Sequence, residues 1–355
     1  MVKKAAALFL VCASMALCLS CGSTTNRFLY ASIPGSSQIV AYREDPNSGV
    51  LTQLTGSPIT AGQAVQALAI HPSGKFLYAA NSGEGDVSLY TISSAGGLTE
   101  VTPRTVAGTA PTLLIMDSAG SFLYVANSGS FNISVFSIDS SSGALTPVGT
   151  AFPIGTDPLN MRLSPSGGTL YVTGQGINTG IIEAFTMLQG VPTGVTGLFN
   201  TGNSPYGITL SPGGNFLYTA NKLDNSISEF TINADGSLTQ LSGSPVGETY
   251  FGPIDIFINQ TGAYMFVANQ ASSNLAGYSV GSDGTLALLT TSPFTTGTNP
   301  TVIASDSAGK YLFVGNQPSS GASIESFSLD VTSGTLSEVA SYTVPGNPTS
   351  IAITP

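Results

Sequence analysis

The chain has 355 residues, only 8% of them charged, with 9 basic against 19 acidic side chains and a formal net charge of −10. It has no basic patch with which to neutralise phosphates, which excludes nucleic-acid binding and charge-driven docking on anionic lipid. An average soluble domain is about 25% charged, so this one must solvate its surface with Ser, Thr, Asn and Gly.

The first element is not expected to fold. Lys3 and Lys4 precede an apolar run from Ala5 to Leu19. That run is too short to span a bilayer as a stable helix but matches the core of a secretory signal. Residues 1–20 are read as that signal and the mature protein as exported. Cys12, Cys18 and Cys21, all the cysteines of the chain, lie in this segment or at its end. The folded body therefore has no disulfide, thiolate metal site or cysteine nucleophile. Leu19-Ser20-Cys21-Gly22 resembles a bacterial lipobox, with Cys18 where that motif usually has Leu. Cys21 is expected to carry lipid, ordinary signal cleavage nearby being the alternative. Residues 21–27 are then a short tether, and lipid is the only membrane contact, on the periplasmic or the outer side.

From residue 28 one pattern returns seven times. Leu29-Tyr30, Leu77-Tyr78, Leu123-Tyr124, Leu170-Tyr171, Leu217-Tyr218, Met265-Phe266 and Leu312-Phe313 recur every 46 to 48 residues. That is the length of one four-stranded propeller blade, which cannot bury both its faces alone. The third repeat shows the plan: an apolar strand over 111–116, a tight turn at Asp117-Ser118-Ala119-Gly120, a strand over 122–126 ending at Asn127, a third over 133–138, and a short fourth opening at Gly143-Ala144-Leu145-Thr146. Gly74, Gly120, Gly167, Gly214, Gly262 and Gly309 stand where the first turn needs positive φ. First strands such as Leu113-Leu114-Ile115-Met116 hardly alternate, as expected of strands covered on both faces.

The two ends complete the count. Residues 28–33 match a second strand with no first, and residues 348–355 match a first strand with no second. The sequence therefore predicts an all-β, seven-bladed β-propeller of four-stranded antiparallel blades over 28–355, closed by the C-terminal strand pairing into the N-terminal blade.

These features together, proline at strand entry, Leu-Tyr-Val-Ala-Asn, a Val-x-x-Phe-x-Ile strand and a Gly-x-Leu-Thr start, resemble the seven-bladed lactonase family that includes 6-phosphogluconolactonases. Tyr124-Val125-Ala126-Asn127 also resembles the Tyr-Val-Thr-Asn repeats of surface propellers. The resemblance implies a site on the face formed by loops entering the first strands and loops leaving the second. It implies a histidine there, with acid and arginine partners. The one histidine, His71, instead falls in a first turn, where Asp117, Ser164, Ser211, Asn259 and Asp306 stand in other repeats, and is read as a turn residue.

The site face offers Asp157, Asn160, Tyr206, Lys222, Glu248, Tyr250, Phe251 and Asn299 as candidate ligand contacts. Lys222 is expected to be neutralised by Asp224, leaving little to hold a phosphate. Arg162 and Asp255 are charges inside first strands; if anything is catalytic, Asp255 as base and Arg162 as oxyanion stabiliser are the candidates. Lining a wet channel is their competing role. Asn81, Asn127, Asn221, Asn269 and Asn316 are read as strand-end caps. No metal and no cofactor are expected, since tryptophan is absent and the histidine is misplaced for haem or copper. The preferred function is a monomeric, non-catalytic scaffold at the cell envelope, binding a glycan, a peptide, a protein or a small lactone. A lactone hydrolase using channel carboxylate and arginine is the alternative.

Overall fold

The computed structural model describes residues 26–317 and 323–355. The expected signal segment and Cys21 lie outside the described residues. The rest forms seven antiparallel sheets in a ring, numbered blades 1 to 7. Their innermost strands are Ser350–Ile353, Val65–Ile70, Pro111–Met116, Pro158–Leu163, Pro205–Leu210, Pro253–Ile258 and Pro300–Ser305. The core is not one volume. It divides into seven slabs, each between neighbouring blades, such as Tyr78 and Ala80 of blade 2 against Leu123, Val125 and Phe136 of blade 3. Burial on both faces explains the unbroken apolar runs.

Five of the seven repeated aromatics tie one blade to the next. The hydroxyls of Tyr30, Tyr78, Tyr124, Tyr171 and Tyr218 donate to the carbonyls of Gly96, Gly143, Gly190, Gly236 and Gly284 at 2.7–2.9 Å, always in the next blade. Each ring is buried, so its hydroxyl must find a partner, and the net gain is about 1 kcal/mol per bond. Phe266 and Phe313 cannot make this bond. Tyr264 reaches Thr332 O at 2.6 Å instead, from blade 6 to blade 7.

The joint between blades 7 and 1 is built differently. Ser350–Ile353 pairs antiparallel with Arg27–Ile33, with Leu29 opposite Ile353 and Ser32 opposite Ser350, so the two ends share blade 1. That strand starts at Arg27, one residue before the expected Phe28. The Arg27 guanidinium lies 2.7 Å from Asp306 Oδ2 and 3.7 Å from Glu44 Oε1. One cation serves two buried carboxylates, and burial together with the charge of Asp306 pushes Glu44 up to about 7.

The outer strands depart from the uniform short fourth strand expected. In blades 1, 3, 5 and 6 the edge is broken into pieces of three and two residues, such as Leu145–Pro147 and Phe152–Pro153. In blades 2, 4 and 7 it runs unbroken over Leu98–Val106, Val191–Asn200 and Leu336–Thr343. The first turns agree with expectation: Gly74, Gly120, Gly167, Gly214, Gly262 and Gly309 hold φ between 66° and 73°. At Gly120 a Cβ would also meet His71 Nε2 at 2.5 Å.

Candidate functional site

The seven innermost strands surround a channel whose cavity, about 510 Å³, opens at the end where the chain enters them. Arg162 and Asp255 are the two charged side chains on its wall. Gln66, Gln270, Gln317, Thr112, Thr301 and Tyr206 supply most of its other polar groups.

Asp255 owes its position to the repeat. It lies two residues after the entering proline Pro253, as Asn160 does after Pro158 and Ser350 after Pro348. All three bond the backbone of the next blade. Asp255 Oδ2 accepts the Ile303 amide at 2.8 Å, Ser350 Oγ accepts the Leu68 amide at 3.1 Å, and Asn160 Nδ2 donates to Tyr206 O at 2.8 Å. The second carboxylate oxygen of Asp255 accepts its neighbour Ile256 N at 2.9 Å. Burial raises the Asp255 pKa above the ordinary carboxylate value, against the pull of the Ile303 amide, the Arg162 charge and the Ile256 amide.

Arg162 is held from one side. Its Nη1 donates to Asn160 Oδ1 and to Met161 O, both at 3.0 Å. Burial lowers its pKa and the charge of Asp255 raises it, yet the ion pairs among the described residues involve only Arg27 and Arg104. Its Nη2 and Nε make no hydrogen bond to the described residues and are available to an anion. The side-chain amides of Gln66 and Gln270 likewise have no described partner while lining the cavity. Each presents both donors and an acceptor.

Of the other candidates, Lys222 and Asn299 do not line the cavity but contact Tyr206 and Gln317, which do. The Lys222 ammonium lies 5.1 Å from the centroid of the Tyr206 ring, a cation–π contact, and burial lowers its pKa. It is not neutralised by Asp224 as expected. That carboxylate instead accepts Asn203 N at 2.7 Å and Asn203 Nδ2 at 2.8 Å, so both of its oxygens are engaged by the loop entering blade 5. Asn299 donates to Gln317 O at 3.2 Å. Glu248 does not line the cavity. Its Oε2 accepts the Tyr278 hydroxyl at 2.7 Å, and burial pushes it up to about 7. Tyr250 packs against the slab between blades 5 and 6, and Phe251 and Asp157 are exposed in entry loops.

His71 is a turn residue at the opposite end. Its Nδ1 accepts Ser73 N at 3.1 Å, which leaves Nε2–H to donate to Gly120 O at 3.1 Å in blade 3. Asp117, Ser164, Ser211, Asn259 and Asp306 use the same place to accept the amide five residues on. Of the strand-end asparagines only Asn127 makes the expected cap, accepting Gly108 N at 3.0 Å. Asn81, Asn221, Asn269 and Asn316 instead donate to side chains of the following strand, because the buried strand end turns their amides inward along the blade. Gln270 and Gln317 were not singled out from the sequence. Both follow a strand-end Asn, at the repeat position of Lys222, and that coincidence was the available signal. Among the described residues, no group of three or more His, Cys, Asp or Glu is arranged to hold a metal.

The family model described as lactonase, 7-bladed beta-propeller matches residues 55–159, 172–293 and 274–353. No curated protein matches the chain in sequence. Among solved structures, a candidate 6-phosphogluconolactonase of Bacteroides fragilis aligns with a TM-score of 0.80 at 21% identity, over 94% of this chain and 99% of its own. A candidate 6-phosphogluconolactonase of Bacteroides uniformis gives 0.80 at 21%, over 93% and 100%. A periplasmic gluconolactonase of Pseudomonas aeruginosa gives 0.76 at 20%, over 93% and 99%. At such identities these structures share the fold, and activity has to be argued from the site.

Proposed function

We propose that this chain, which belongs to the seven-bladed β-propeller lactonase family, is an exported, lipid-anchored binding module of the cell envelope that takes a small polyhydroxylated ligand in its channel mouth. A sugar acid, a sugar lactone or the end of a glycan fits that description. The observation that carries the reading is the pair of side-chain amides of Gln66 and Gln270, without a partner among the described residues, beside the half-engaged Arg162, around a cavity of about 510 Å³. Neutral amides pair with hydroxyls in either sense, and a guanidinium takes a carboxylate or lactone oxygen. Activation of water would need a base free to receive a proton. Asp255 instead holds two backbone amides, and His71 lies at the far end. Export fits the periplasmic gluconolactonase named among the similar structures.

The test is a melting and calorimetry series with gluconate, gluconolactone and envelope oligosaccharides, with lactone opening followed in parallel. Stabilisation without turnover, lost in Arg162→Gln, is the expected outcome. Lactone opening above background that disappears in Asp255→Asn would overturn it in favour of a second reading. There Asp255 takes a proton from attacking water, Arg162 stabilises the oxyanion, and the ring opens to the hydroxy acid. Family membership and the unused donors of Arg162 are what favour that alternative.

A further inference from the structure

The outer edge of a blade exposes a row of unpaired N–H and C=O groups and is a template for another strand unless guarded. Six of the seven edges here are guarded. Those of blades 1, 3, 5 and 6 are broken into pieces too short to template a partner. The blade 2 edge carries Glu100, Pro103 and Arg104, and the blade 7 edge carries the exposed Glu338. Bulges interrupt all three long edges and do not distinguish them.

Blade 4 has no such guard. Its edge, Val191–Asn200, is a ten-residue strand with no charged residue, and Pro192 near its start is buried. Val195 is 57% exposed and Leu198 64%, with Leu188 beside them also 64% exposed. The sequence from Ala184 to Asn221 contains no Asp, Glu, Lys, Arg or His, in a chain whose net charge is −10.

We propose that this edge pairs with the same edge of a second copy, antiparallel about a two-fold axis, so that two four-stranded blades join into one eight-stranded sheet. The charge distribution argues for a second copy. Two chains this acidic repel each other wherever their acids face, and the blade 4 sector is where both can approach without that cost. An isologous contact also needs a surface that complements itself, which an antiparallel strand edge does. A ten-residue strand spans at most about 34 Å, and its two bulges and Pro192 shorten the stretch that can pair, which is flanked by the apolar Val195 and Leu198 of both copies. The edge lies on the circumference, so both channel mouths stay open. A dimer of this kind would take the place of the monomer expected from the sequence.

Sedimentation velocity on the purified protein, from about 1 μM to about 100 μM, reads the outcome in the range where a modest interface forms. The expected result is a concentration-dependent dimer. Val195→Lys combined with Leu198→Lys should raise its dissociation constant at least about tenfold, by placing like charges across the axis. The same variant should melt as the parent does at low concentration, and Val106→Lys on blade 2 should leave the dimer intact. A monomer throughout the range, a dimer indifferent to the blade 4 lysines, or a monomer that pairs this edge with unrelated extended peptides would overturn the proposal.

Discussion

The two ends of the ring are made from the same repeat and use their polar side chains in opposite ways. At the turn end, His71, Asp117, Ser164, Ser211, Asn259 and Asp306 each bond backbone within their own turn or the adjoining blade. At the mouth, Gln66, Gln270 and part of Arg162 face the cavity without described partners. A polar group that bonds its own fold stabilises it, and one left open near water is available to a ligand. Asp255 stands at the mouth but behaves like the turn end.

The strongest way to break the comparison is to remove the frame both ends share. Deleting residues 348–355 takes away the innermost strand of blade 1 and should abolish cooperative thermal unfolding, read by circular dichroism. Next comes Arg27→Ala, which leaves Glu44 and Asp306 buried without their cation. It should cost about 3 kcal/mol in denaturant melts. Asp255→Ala strips the acceptor from two amides, Ile256 and Ile303, and should cost about 2 kcal/mol. A variant of unchanged stability that has lost only ligand binding or turnover would move Asp255 to the working side.

Acidity gives the smallest effect per residue. Glu44, Glu229 and Glu248 are each pushed up to about 7 by burial. A carboxylate with a raised folded-state pKa binds its proton more tightly folded than unfolded. Stability therefore falls as pH rises from about 4.5 through about 7. Between about pH 6 and about pH 8 the loss should be about 1 kcal/mol for each group, seen as a melting temperature that drops with pH. Glu229→Gln should remove one share of that slope.

The architecture was legible because the blade length recurs seven times and the positive-φ glycine of the first turn six times, once in each unsplit blade, which leaves the split termini to mark the seventh. The closure between Leu29 and Ile353 follows directly from a second strand without a first. The site was less legible, because its residues act across blades. Asp255 reads in isolation as a stray acid in an apolar strand. Its role shows only beside Asn160 and Ser350, which stand at the same repeat position and also reach the next blade. Lys222 was paired by chain proximity to Asp224, whereas its contact is Tyr206 from another strand. Glu248 sat in an entry loop by position, but the hydroxyl of Tyr278 draws it away from the cavity.

The tyrosine ties run in one sense around the circle, each blade holding the one after it, and at the last joint the series stops. Phe313 offers no hydroxyl there, and the Arg27 cluster with the bond from Leu51 N to Tyr342 Oη at 2.7 Å fastens the seam instead. The circle therefore behaves as a bracelet with a clasp of different material from its links. The clasp depends on charge where the links do not, so raising the pH through about 7, which ionises Glu44 beside Asp306, should open the circle first beside its own termini.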